Sequence, residues 1–150
     1  MLRVVLGFAL IVFLFVGSYG FAQEHHHGHA TSEEAKPIAE IMQGMNSSLH
    51  DLTSAIVLED YALIAAAAQG IVNHPGIAQE DLDALFARLG TEKEAFIACD
   101  GRVHELAGEI AEAGEQENMD IALEKYSAMI GKTVECHRNY RSNMKVGSEK

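Results

Sequence analysis

An all-α domain is the fold class this sequence predicts, and three observations predict it. Apolar residues recur at steps of three and four through four long stretches, the spacing that lays a single stripe along a helix. Only 2 prolines interrupt 150 residues, Ala and Glu are prominent, and no segment carries a strand signal. The 48% hydrophobic content suffices for one domain with a real core. Four long helices with short links favour an antiparallel up-down-up-down four-helix bundle, here with a short extra helix between the second and third.

The chain opens with a separate signal. Residues 1–22 hold one charged side chain, Arg3, then an apolar run from Val4 to Val16, with small residues at Gly20 and Ala22. A charged start, a short apolar core and small residues at −3 and −1 describe a secretory signal peptide cleaved after Ala22. The run falls short of the ~20 residues a spanning helix needs. Periplasmic export is the expected localisation, with no membrane contact beyond this peptide, and the two cysteines then face an oxidising space. Residues 23–35 read as a tail rich in histidine: His25, His26, His27 and His29 lie within five positions and can gather Cu(II), Zn or Ni without any fold.

The bundle is expected over residues 36–141, with a C-terminal tail from 142 to 150. The first helix begins near Glu34 to Pro37, since proline is tolerated in a first turn, and its stripe runs through Ile38, Ile41, Met42, Met45, Leu49, Leu52 and Ile56. The second helix spans about Asp60 to Val72. Its Ala65–Ala68 run lets a neighbour or a flat ligand approach closely, and Asn73-His74-Pro75-Gly76 is a strong stop. A short amphipathic helix covers Gln79 to Leu89. Thr91 with Glu94 three residues on reads as a capping box, opening a third long helix with Phe96, Cys99, Val103, Leu106 and Ile110 that ends near Ala113. After a loop over 114–118, the fourth long helix carries Ala122, Tyr126, Met129, Thr133, Cys136, His137 and Tyr140 on one stripe to about Arg141.

Charge and motifs exclude several functions. Twenty-two acidic against 11 basic residues give a formal charge of −11, which opposes binding to nucleic acid or anionic lipid and suits a basic protein partner. No Gly-rich phosphate loop, Gly-x-Ser-x-Gly or His-Glu-x-x-His is present, so the chain is not read as an enzyme. The paired carboxylates sit at helix starts, where the macrodipole favours them.

Candidate ligands collect at one bundle end, where the start of the first helix, the second-to-third connection and the end of the fourth meet. Met42 lies about two turns into the first helix and His137 about one turn from the end of the fourth. Cys99 counts out within roughly 8 Å in height of Cys136, and His104 some 16 Å above His137. His104 and His50 therefore read as partly exposed bundle histidines, and an 8 Å offset makes a Cys99–Cys136 disulfide poor geometry. Cys99 reads first as a small core residue. An inward His facing an inward Met is a pair that haem iron accepts as axial ligands, with Phe96 and Tyr140 as lining.

The closing segment, Thr133-Val134-Glu135-Cys136-His137-Arg138-Asn139-Tyr140-Arg141, resembles the C-terminus of class II cytochromes c, the cytochrome c prime family, whose last helix ends Cys-x-x-Cys-His-x-x-(Tyr/Phe)-Arg. The Phe96…Asp100…His104 spacing, the His74-Pro75 turn and the two early methionines look like a periplasmic branch of that group. The Met42…His137 placement is similar to the four-helix periplasmic cytochrome b. The resemblance covers about residues 36–141. It implies His137 as proximal haem ligand, Cys136 as the surviving attachment residue, Arg138 and Arg141 near the propionates, and electron transfer or small-gas binding with a redox partner. A homodimer also fits it. Thr133 stands where the family has its first haem cysteine and cannot form a thioether. Three states remain open: c-type haem on one thioether at Cys136, noncovalent b-type haem on His137, or no haem. Without haem, the His-rich tail and the Cys99, Cys136, His137 and Met42 or Met45 end offer donors for copper or zinc.

Overall fold

The computed structural model describes residues 35–143, which form five α-helices: α1 Ile38–Leu58, α2 Tyr61–Val72, α3 Gln79–Leu89, α4 Lys93–Glu115 and α5 Met119–Tyr140. The all-α class is as expected, and the arrangement is compatible with a helical bundle. The signal peptide, the His-rich tail and residues 144–150 lie outside the described residues.

Each helix end has a local cause. Pro37 precedes α1 and offers no side-chain cap; Asp81 Oδ2, 43 residues on, accepts from the Ile38 N–H at 2.9 Å instead. Glu59, in the left-handed region at φ 54°, terminates α1. Asp60 caps α2 by accepting from the Leu63 N–H, and Asn118 caps α5 by accepting from the Ile121 N–H. These are the extended N-cap geometries that side-chain oxygens favour.

Two boundaries differ from expectation. The Thr91–Glu94 capping box does not form: Gly90, at φ +54°, turns the chain straight into a 3-10 turn over Gly90–Glu92, and α4 begins at Lys93 without a side-chain cap. Thr91 thus lies inside a turn rather than at the extended position a cap requires. At the far end, α4 continues through Gly114 to Glu115. Gly114 does not break the helix; it admits a neighbour. A Cβ there would meet the Ala65 nitrogen at 2.8 Å and the Tyr61 carbonyl oxygen at 3.0 Å, so the small run on α2 is filled by α4 rather than by a flat ligand.

The helices pack in sequence. α1 lies against α2, α2 against α4, and α4 against α5, whereas α1 and α5 meet lightly, with the Thr53 and Tyr126 hydroxyls 2.8 Å apart. Leu52, Ile64, Leu85, Ile110 and Met129 are the largest fully buried side chains. Burying such side chains contributes about 1.5–3 kcal/mol each.

Cys99 and Cys136 form a disulfide between α4 and α5, with Cα atoms 6.0 Å apart, which corrects the expected 8 Å offset. The offset vanishes because α4 runs to Glu115 and α5 starts at Met119. Cys99 is then as far below the link on α4 as Cys136 is on α5.

Candidate functional site: a histidine pair in an apolar cavity

A cavity of about 630 Å³ opens between the start of α1, the 73–78 connection, α3 and the first half of α4. Its walls are mainly apolar, among them Ile38, Ile41, Phe86 and Phe96. Met42, Met45, His74, Asp100 and His104 are also among the lining residues. A largely apolar cavity with a few convergent polar groups is the usual form of a ligand site.

The connection that carries His74 is pinned. The Lys36 N–H donates to the Gly76 carbonyl and the Ala78 N–H to the Lys36 carbonyl, both at 2.8 Å, forming a one-residue parallel bridge between Lys36 and Ile77. The Asp81 cap on Ile38 ties α3 to the same corner. His74 is oriented in turn: its Nδ1 lies 2.7 Å from the Pro75 carbonyl oxygen. A carbonyl only accepts, so Nδ1 carries the hydrogen, and in the neutral ring Nε2 is the bare lone pair. That Nε2 faces His104 Nε2 at 3.2 Å, the rings tilted at 58° with centroids 4.9 Å apart. Across this contact His104 donates from Nε2. Asp100 Oδ2, one helical turn back on α4, is 3.8 Å from the same His104 nitrogen.

The length of α2 makes this pair. Ala65 sits against Gly114. Nine residues onward from Ala65 is His74, and ten residues back from Gly114 is His104, so at ~1.5 Å per residue both reach the same level. The expected register instead puts His74 at the bundle end with His137, and His104 some 16 Å above that end. α2 has 12 residues against 23 in α4, so its C-terminus stops beside the middle of α4, and α3 fills the remaining height.

The other expected site residues divide. Met42 and Phe96 line the cavity. Phe96 is buried and meets Tyr140 edge-on, ring centroids 5.5 Å apart, so Tyr140 backs the wall rather than lining it. His137, Arg138 and Arg141 are exposed, and none of them lines this cavity. The buried stripe of α5 passes through Ala122, Met129, Cys136 and Tyr140; a step of one residue turns ~100° around a helix, which carries His137 away from it. Met42 and His137 are therefore not brought to one site. The Cys136 sulfur is bonded to Cys99, so while the bridge stands it supplies neither a thioether to haem nor a thiolate to a metal, and Cys99 likewise. These residues do not fit a covalent haem at His137.

Among the described residues no three or more His, Cys, Asp or Glu side chains group as a metal site; two imidazoles converge, and Met42, Met45 and Asp100 are the other lining residues with donor atoms of metal-binding type. His25, His26, His27 and His29 lie outside the described residues. No described helix is long and apolar enough to cross a membrane. No family model, curated protein or solved structure matches the chain.

Proposed function

We propose that this chain is an exported, haem-free helical bundle that binds a transition metal of the copper or zinc class, inside the cavity rather than at the end of its last helix. The up-down-up-down course of the long helices, with α3 as the short extra helix, is part of this reading. The observation that carries it is the convergence of His74 and His104 at 3.2 Å in a cavity that Met42 and Met45 also line. The Nδ1–H of His74 held by a backbone carbonyl is the outer-shell bond that presents Nε2 of a metal-ligating histidine. A disulfide between α4 and α5 supports an oxidising, periplasmic setting, and the expected signal peptide supports the same. The His-rich tail would raise the local supply of metal.

The test is the metal content of protein exported to a bacterial periplasm, after the tail histidines are replaced by alanine. Copper or zinc retained near one per chain, and lost in His74→Ala and His104→Ala, is the expected result; a metal-free protein that takes up neither ion overturns the reading. A second reading, noncovalent haem within the cavity, is favoured by its apolar walls and size. It expects a Soret band that acid–acetone extracts and that His104→Ala, not His137→Ala, abolishes.

A further inference from the structure

We infer that the ion this cavity is built for is Cu(I), held by the Nε2 atoms of His74 and His104 and a thioether of the Met42/Met45 pair, with Asp100 as its counter-charge. This rests on the metal-binding reading above and specifies its site and oxidation state. Three features of the cavity carry it.

The first is spacing. Two nitrogens bound at ~2.0 Å on one tetrahedral ion lie about 3.3 Å apart, and the two Nε2 atoms stand at 3.2 Å. When the ion enters, the hydrogen between them moves from His104 Nε2 to its Nδ1, so both rings stay neutral and both present Nε2. The second is softness. Met42 and Met45 line the same cavity as the histidine pair, and thioethers are soft donors that suit Cu(I). The third is charge. Asp100 is the one carboxylate among the residues lining the cavity, 3.8 Å from His104 Nε2. Neutral imidazoles and thioethers with a monovalent ion and one carboxylate sum to zero.

The test uses the full mature chain, disulfide intact, with His25, His26, His27 and His29 replaced by alanine. It is titrated anaerobically with Cu(I) against a chromogenic Cu(I) chelator, and separately with Zn(II). The expected result is one Cu(I) per chain, not displaced by excess Zn(II), with a sulfur neighbour in its X-ray absorption spectrum. Met42→Leu combined with Met45→Leu, which keeps the volume and the fold, lowers Cu(I) affinity at least 10-fold and leaves Zn(II) binding unchanged. His104→Gln lowers it at least 100-fold. Zn(II) displacing Cu(I), or methionine variants that leave Cu(I) affinity untouched, overturns the Cu(I) assignment while metal binding itself stands. Neither metal binding overturns both.

Discussion

His74 shows how one residue acquires a role from its immediate neighbours. Pro75 follows it and supplies the carbonyl that fixes its tautomer, and the Lys36–Gly76 pairing holds the turn against α1. Asp81 secures the same corner by accepting from the Ile38 N–H. Removing that acceptor in Asp81→Ala costs about 0.5–2 kcal/mol, the usual loss at an N-cap, read as a lower urea midpoint; Asp81→Asn keeps an oxygen and most of the stability. At this scale the sequence was partly legible. His74-Pro75 and Asp100…His104 stand out by residue type and spacing. Their meeting does not, because an imidazole on a helix declares its partner only once the register of the neighbouring helix is known. His137 was misread for a related reason: a Cys-His pair presents two adjacent side chains ~100° apart on a helix, and only one of them faces inward.

Among the elements, α4 takes part in two of the three main helix packings, against α2 and against α5, and its glycines separate two effects of the same substitution. Gly114→Ala pushes a methyl group into the α2 backbone at Ala65 and Tyr61, an overpacking that costs about 1–3 kcal/mol. Gly108 lies in the same helix with nothing within 4 Å of its would-be Cβ, and Gly108→Ala stabilises by about 0.5–1 kcal/mol through the lost freedom of the unfolded chain. Thermal unfolding of the two variants should shift in opposite directions. The α4–α5 surface carries Glu109, whose carboxylate meets Lys125 Nζ at 2.8 Å and Arg102 Nη1 at 3.1 Å. The Lys125 ammonium, against the partial burial of the group and with help from Arg102, holds the Glu109 carboxyl below its ordinary value. A depressed carboxyl stabilises the fold above its unfolded pKa of about 4.5 and loses that contribution as pH falls through the lower folded value. Glu109→Gln should flatten stability across the acid limb and leave the shape of the curve near neutrality unchanged. The helices themselves were legible to within a few residues from apolar spacing, whereas the Thr91–Glu94 box marked a cap that does not form. What hid the site was the consequence of helix lengths: a 12-residue α2 beside a 23-residue α4 cannot share both of its ends.

Across the whole molecule, the Cys99–Cys136 bridge closes a sequence separation of 37 residues. A loop of that length restricts the unfolded chain by about 4 kcal/mol in the chain-entropy picture, and bridges deliver about 2–4 kcal/mol in practice. Reducing it, or replacing both cysteines with alanine, should lower the urea midpoint accordingly. Metal binding in the cavity should survive, because the bridge joins α4 to α5 while the histidine pair joins the 73–78 connection to α4. The bridge and the cavity thus occupy separate parts of the molecule.

The most direct measurement is a nitrogen-detected NMR titration of the histidine side chains in the full chain with one equivalent of Cu(I) under anaerobic conditions. The Nε2 signals of His74 and His104 should shift together and saturate at one ion per chain, while His137 and His50 stay in place. A response confined to His137, or to the tail histidines alone, would contradict a metal site in the cavity.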